Sequence, residues 1–379
     1  MRAPNGVRVK LYSALAELPA AYEDVFSAGA ARSFYLSRPW FENLVATASA
    51  SHEELRLYGI ERDDQTALGL FIARGCPRQL RHPLRKLSGL SSMYTILYGP
   101  LWKSASAALA GAPALARCLA AERPRWDVVQ LDSLDPDSAE FSQLQSALSA
   151  AGYVVQSYFH FGNWFESIPE PRWDSYWQRR PSMLRNTVDR KSKKLLKAHR
   201  VRYEIYTGHP NLDEGIRAYE RVYAASWKVP EPFPAFTGGL VRCASDAGAL
   251  RLGIAYVDDT PAAAQIWLVA NRQATIFKLA YDEAFSAHSI GTLLTLRLAR
   301  HVIEVDQVSH IDFGRGDDGY KRDWLAERRE RWGLMAVNPR TVAGALAVCR
   351  HLGARLLKRA TIPTLRGEQR RGQSASQPR

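Results

Sequence analysis

Metal-ligand spacing is missing from this 379-residue chain. Its four cysteines, Cys76, Cys118, Cys243 and Cys349, stand far apart and form no C-x-x-C pair, and its nine histidines include no H-E-x-x-H. Structural zinc needs clustered ligands, so a zinc-stabilised fold is excluded. Scattered cysteines suit reduced thiols that fill space in the cytoplasm. No apolar run approaches the ~20 residues a bilayer span requires. Met1 to Lys10 has no charged-then-apolar leader, so export is not expected. A G-x-S-x-G elbow and a Cys/His signature are also missing, which disfavours a covalent serine or cysteine enzyme. No DNA- or RNA-binding signature is present. What the chain does have is 46% hydrophobic residues, enough to exclude wholesale disorder. Its length favours two domains.

The formal charge is +13, and it is localised. Residues 185–200 carry Arg185, Arg190, Lys191, Lys193, Lys194, Lys197 and Arg200 against the single acid Asp189, a net +6. Residues 355–379 carry seven basic residues against Glu368, again +6. The rest of the chain is nearly neutral, so two basic segments need explaining rather than a basic protein. The first has only a narrow apolar stripe, Leu184, Val188 and Leu195. It reads either as a solvated helix face or as a contact for nucleotide phosphate, RNA or acidic lipid. The second falls largely on a polar tail from Thr361 that is expected to be disordered.

The C-terminal half is clear in outline. Arg251 to Val257, Ala262 to Ala270 and Thr275 to Tyr281 read as strands, separated by turns at Asp258-Asp259-Thr260-Pro261 and Asn271-Arg272. Ile290 to Val305 reads as a helix whose polar positions, Arg297, Arg300, His301 and Glu304, share one stripe, so most of it is buried. Val308 to Phe313 is a further strand beside the third. The N-terminal half repeats the outline with strands 54–61 and 67–73, strand segments around Tyr94 and Tyr98, a helix 104–121, a strand 126–131, a helix 138–150 and a strand 153–159. A duplicated α/β (α+β) unit follows.

Four segments can carry chemistry. Ser289-Ile290-Gly291-Thr292 opens the buried helix after a strand and a short loop. Its free N–H groups can cradle a pyrophosphate, with Ser289 as a cap and Gly291 allowing close approach; a plain capped core helix is the alternative. Asp312-Phe313-Gly314-Arg315-Gly316-Asp317-Asp318-Gly319-Tyr320-Lys321 contains a literal G-x-G-x-x-G. Without a following parallel strand, and with two aspartates where pyrophosphate would sit, it is not a dinucleotide site. Without an H-R-D loop it is not a kinase triplet. It reads as an irregular loop placing Asp317, Tyr320 and Lys321 near strand ends, or as a solvated turn. The third segment is the basic run. The fourth is Ser226-Trp227-Lys228 with Phe233 and Phe236, either pocket wall or core.

In this order, Ser226-Trp227-Lys228, the strand 261–269, Phe277 to Glu283, Ser289-Ile290-Gly291-Thr292 and Asp312-Phe313-Gly314 through Lys321 resemble the FemAB-like, CelD-like branch of the GNAT acyltransferase superfamily. The basic helix before the second domain resembles that of these proteins too. The resemblance implies two tandem GNAT-like domains, each a mixed, mostly antiparallel sheet flanked by helices. It divides the chain into a GNAT-like domain over 1–165, a basic helical connector over 166–205, a GNAT acyltransferase domain over 206–340, a basic helix over 341–360 and a disordered tail over 361–379.

By the same resemblance, acetyl-CoA or another acyl-CoA is the co-substrate, with no metal. Lys278 and His288, Ser289, Ile290, Gly291 and Thr292 hold it, while Trp227, Lys228 and Lys321 meet the acceptor. Asp282, Asp317 and Tyr320 are candidates of suitable type for accepting a proton. The expected activity is N- or O-acyl transfer to a sugar or cell-envelope polysaccharide precursor. The alternatives are a FemX-like transferase using aminoacyl-tRNA and a non-catalytic scaffold of a polysaccharide-synthesis assembly. DNA is not an expected partner. The basic tail is a candidate for peripheral contact at the inner membrane face.

Overall fold

The computed structural model describes residues 6–48, 52–78, 83–208 and 210–350. The N-terminal half runs β1 (Val7–Tyr12), α1 (Glu23–Ala30), α2 (Arg38–Thr47), β2 (Glu54–Arg62), β3 (Ala67–Cys76), β4 (Lys86–Gly89), β5 (Leu101–Trp102), α3 (Ala105–Ala121), β6 (Val128–Leu134), α4 (Ala139–Ala150) and β7 (Val154–Ser167). Two helices follow, α5 (Trp173–Gln178) and the basic α6 (Ser182–Ala198). The C-terminal half runs β8 (Val201–Tyr206), α7 (Leu212–Ala224), α8 (Pro234–Asp246), β9 (Leu250–Val257), β10 (Thr260–Ala270), β11 (Gln273–Tyr281), α9 (Ile290–Glu304), β12 (His310–Arg315), α10 (Lys321–Trp324) and β13 (Glu327–Val337).

Local chemistry accounts for the clearest of these. The hairpin turns at Asp258-Asp259 and Asn271-Arg272 each place both central residues at positive φ, the geometry that two-residue hairpins require and that Asp and Asn tolerate best. Helix α9 buries Ile290, Leu293, Leu294, Leu298, Ala299, Val302 and Ile303, leaving the polar stripe in which Arg300 pairs with Glu304 at 2.7 Å. Helices α3 and α4 begin at Ser104 and Ser138, whose hydroxyls accept from the amides of Ala107 and Phe141.

The thirteen strands of the described residues form one sheet, ordered β1-β2-β3-β4-β6-β13-β7-β12-β11-β10-β9-β8, with β5 beside β3. Among the described residues only β4–β6 and β11–β12 are parallel. Each half therefore has an antiparallel meander followed by one parallel step. The halves interlock at the centre. Strand β7, from the N-terminal half, pairs with β12, and β13, the last strand, returns to pair with β6. Hydrophobic segregation along the chain does not reveal such an exchange: β7 runs on to Ser167, well past the expected Phe159, because its far end pairs with the C-terminal half.

Tyr94 and Tyr98 are not on strands. They lie in the loop between β4 and β5, where Tyr98 is buried against Gly89 and its hydroxyl donates to the Ile72 carbonyl at 2.5 Å. Aromatic content suggested strands there; the residues are instead a plug. The amide of Tyr98 donates to the Ser133 carbonyl at 2.9 Å, and the Ser133 hydroxyl donates to the Thr95 carbonyl at 3.1 Å. This loop thus lies against β6 beyond its last parallel pair with β4, Ser88 with Gln130. The expected helix from Thr341 is helical over 342–350; its remainder and the expected disordered tail lie outside the described residues.

Candidate active site

The corresponding gap in the C-terminal half is open. Parallel pairing of β11 with β12 lasts only from Gln273–His310 to Thr275–Asp312. Two features force the parting. Phe277 is an extra residue in β11, since Ile266 faces Lys278 while Trp267 faces Ile276, and such a bulge bends the strand. On the other side, Gly314 turns β12 with φ +64, where a Cβ would stand 2.7 Å from the Ile276 carbonyl. Asp312 pins that turn. One carboxylate oxygen accepts from the Gly314 amide at 2.6 Å and from Asn163 Nδ2 at 2.7 Å, and the other accepts from Arg329. Asn163 in turn donates to the Gly314 carbonyl at 2.7 Å and accepts from Arg329 Nε at 2.6 Å.

The parted strands open a cleft of about 240 Å³, walled by Lys278, Lys228, Phe313, Tyr320 and Lys321 and by Tyr94 from the N-terminal plug. Tyr94 also stacks on Phe236 of α8, with centroids 4.1 Å apart and planes at 9°. A loop that seals one half therefore builds a wall of the other.

Behind Lys278 and Tyr94, Glu231 accepts hydrogen bonds from Tyr94 at 2.6 Å, from Tyr223 and from Lys278. Those donors, with Lys278 first, hold its carboxyl below the usual range despite burial. Lys278 also lies 4.8 Å from the Tyr94 ring centroid. Lys228 is different. Its ammonium closes no hydrogen bond or ion pair among the described residues. Burial, and then the neighbouring Lys278, push its pKa down. It is the free amine of the site.

The other expected residues separate into two groups. Lys321 lines the cleft but is buried. Its donors go to the carbonyls of Arg315 at 2.7 Å and Gly316 at 3.1 Å and to Asp318 at 3.2 Å, so it holds the loop rather than an acceptor. Tyr320 lines the cleft and is 45% exposed. Burial, and then Asp318, push its pKa up, so the phenol stays protonated at neutral pH and is a donor there. Asp317 pairs with Arg328 at 2.6 Å over the backbone of Gly162, outside the cleft lining. Asp282 accepts from the Ala284 amide at 2.9 Å and opens the 3-10 turn Glu283–His288. Neither aspartate faces the cleft, because local backbone and an arginine claim both. Sequence reading missed Glu231, Tyr94 and Tyr223; the one available signal was a lone acid between two prolines, Pro230-Glu231-Pro232, just past Lys228.

The start of α9 lies beside Tyr281, at the end of β11. Ser289 is not the cap that its residue type suggested. Its backbone is left-handed, φ +54 and ψ +37, and its side chain makes no capping bond. The amides of Ile290, Gly291 and Thr292 consequently donate to no acceptor among the described residues. Gln265 anchors this turn from β10, donating to the Gly291 carbonyl at 2.9 Å, and is itself oriented by Trp267. A Cβ at Gly291 would meet Tyr281 at 3.2 Å, and the Tyr281 ring lies tilted against the half-exposed Trp227, with centroids 4.5 Å apart. Helix α6 supplies cations here. Lys191 donates to the Ala287 carbonyl at 2.6 Å, and Lys191 and Lys194, after burial and His199, help keep His288 below its ordinary pKa.

Residues 182–322 match the family model of the acetyltransferase (GNAT) domain. That span holds α6, Lys228, the parted strands and the start of α9. No curated protein matches the chain by sequence. The crystal structure of FemX superposes with a TM-score of 0.55 at 10% identity, over 86% of this chain and 96% of that one. A C-terminal domain from an Agrobacterium fabrum protein gives 0.52 at 11% identity, over 86% and 95%. A conserved protein of unknown function from Bacteroides thetaiotaomicron gives 0.51 at 11%, over 87% and 99%. At such identity the likeness is one of fold alone. Among the described residues no group of three or more His, Cys, Asp or Glu is placed to hold a metal, and no helix is long and apolar enough to cross a membrane.

Proposed function

We propose that this chain transfers an acyl group from acyl-coenzyme A to the amine or hydroxyl of a small, sugar-derived acceptor. The observation that carries this reading is the parting of β11 from β12 beside an uncapped helix start, within the span that matches the GNAT domain. Three free amides on α9, at the positive end of its dipole and next to Lys191 and Lys194, fit a pyrophosphate. Past Thr275, the edge of β11 that faces β12 has no strand partner, so its backbone N–H groups can meet a developing oxyanion.

When bound, the thioester supplies the electrophilic carbonyl. Lys228, in its neutral form, takes the proton from the acceptor as the new bond to the carbonyl carbon forms. The carbon–sulfur bond then breaks, and the proton passes to the thiolate, leaving free thiol. Glu231 and the two tyrosines fix Lys278 in its place. Tyr320, Arg315 and Asp318 offer polar groups to the acceptor at the open side of the cleft.

Replacing Gly291 by Asp puts a carboxylate among the three amides. Calorimetry is expected to show at least a tenfold weaker affinity for coenzyme A, with the melting temperature little changed. Unaltered affinity would remove the cradle from the reading.

A second reading has its own support. Arg190, Lys193, Lys194 and Lys197 of α6 recur at i, i+3, i+4 and i+7, are exposed, and form no ion pair among the described residues. An aminoacyl-tRNA donor would use that stripe. It predicts tRNA binding that weakens steeply with salt, as phosphate contacts release counterions. A panel of acyl-CoA and aminoacyl-tRNA donors, scored by mass spectrometry, decides between the two.

A further inference from the structure

Next to the cleft lies a second and larger cavity, of about 470 Å³, between α7 and α8. We propose that it houses an acyl chain much longer than acetyl, so that the thioester consumed is a fatty acyl thioester. This inference rests on the acyltransferase reading and specifies its donor.

Position comes first. The cavity shares Lys228 with the cleft, and the Glu231–Lys278 pair spans the two, since Glu231 lines one and Lys278 the other. A carbonyl seated near Lys228 thus has its chain directed toward α7 and α8. The walls are the second argument. Ile216, Ala224, Pro230, Pro234 and Val241 contribute carbon, together with the rings of Tyr219 and Tyr223. A hydroxyl-rich acceptor would need hydrogen-bond partners in such a site. Part of the polar lining is already engaged. Glu231 holds Tyr223 and Lys278, whereas the hydroxyls of Tyr219 and Thr237 sit in the buried wall and close no hydrogen bond among the described residues. Glu220 sits at the exposed rim. A hydrocarbon chain suits the carbon that makes up most of these walls. Each buried methylene is worth about 0.8 kcal/mol. An acetyl group would leave most of the space unfilled.

Gly238 makes the idea testable. It lines the cavity from α8, and a Cβ built on it meets nothing within 4 Å. A larger side chain there grows into the cavity rather than into the protein. Gly239, its neighbour, offers no such route, because its Cβ would stand 2.1 Å from Asn43 Oδ1.

The experiment measures binding of coenzyme A, acetyl-CoA, octanoyl-CoA and dodecanoyl-CoA to the wild type, Gly238→Ala and Gly238→Leu by calorimetry. A fluorescent fatty acid serves as an independent probe, and melting temperatures report folding. The wild type is expected to bind dodecanoyl-CoA at least tenfold more tightly than acetyl-CoA. Gly238→Leu is expected to abolish that gain while binding coenzyme A as before. If coenzyme A binds and lengthening the chain brings no gain, the cavity proposal is wrong while the acyl-CoA reading stands. If coenzyme A does not bind, the acyl-CoA reading is wrong, and the fatty-acid probe judges the cavity alone: binding lost in Gly238→Leu supports it, and no binding overturns it. Should Gly238→Leu instead leave every donor affinity unchanged, the chain does not lie there. If Gly238→Leu unfolds, Gly238→Ala still reads the same contact, with a smaller loss for the longest chain only.

Discussion

Replacing Lys228 by Ala is expected to lower kcat/KM by about 10²-fold or more, the range for a positioned acid–base group. Lys228 is the one amine lining the cleft that closes no bond among the described residues, whereas Lys278 is tied to Glu231 and Lys321 to two carbonyls and Asp318. Burial and the charge of Lys278 disfavour its protonated form, so neutral amine is present at lower pH than for an ordinary lysine. The wild-type rate is therefore expected to rise with pH, and to inflect below the ~10.4 of a free lysine. Lys228→Arg keeps the charge and cannot lose its proton. It should be as inactive as the alanine variant. An active arginine variant, or a flat pH profile, would show that the residue acts by charge and would take the base role away from it.

Removing the Asp312 carboxylate is expected to cost about 3 kcal/mol or more of stability, measured by chemical denaturation, with Asp312→Ala the larger loss and Asp312→Asn the smaller. The carboxylate is nearly buried, and three donors converge on it: Asn163, the Gly314 amide and Arg329. Taking away the shared acceptor leaves those donors unpaired in a site of low exposure, which is where single polar deletions are most damaging. Because the same contacts hold Gly314 at φ +64, the parting of β11 from β12 should be lost with them. Coenzyme A binding is expected to fall even under conditions where the variant remains folded. A loss under 1 kcal/mol with unchanged binding would mean that Gly314 and the bulge at Phe277 hold the gap open unaided.

The two halves of the chain were unequally legible, for physical reasons. Strands β9 to β11 and helix α9 announce themselves because each has its own periodicity and its turns use Asp and Asn at positive φ. Tyr94 and Tyr98 misled because β propensity reflects packing against neighbours, and an aromatic-rich loop satisfies the same packing. Ser289 misled because residue type does not fix backbone conformation; in the left-handed region its hydroxyl cannot reach the amides it was expected to cap. Asp282 and Asp317 were chosen by chemical type. What removes them is a nearby amide in one case and Arg328, eleven residues along the chain, in the other.

Lys228 is a mixed case. Its place after Trp227 was visible, and so was its resemblance to a family pattern. Its freedom was not, since that depends on where Glu231, Lys278 and Asp318 fall in space. Glu231 itself gathers partners from Tyr94 and Lys278, residues 137 and 47 positions away.

Alone, the sequence determined the duplicated α/β plan, the buried helix and the localisation of charge. All of these follow from local pattern and residue inventory. Only the tertiary structure decided which half keeps an open gap, which lysine stays free, and that an apolar cavity adjoins the site. Each is a long-range outcome, fixed by strand exchange at the centre of the sheet and by one loop of the N-terminal half filling its own gap while walling the other.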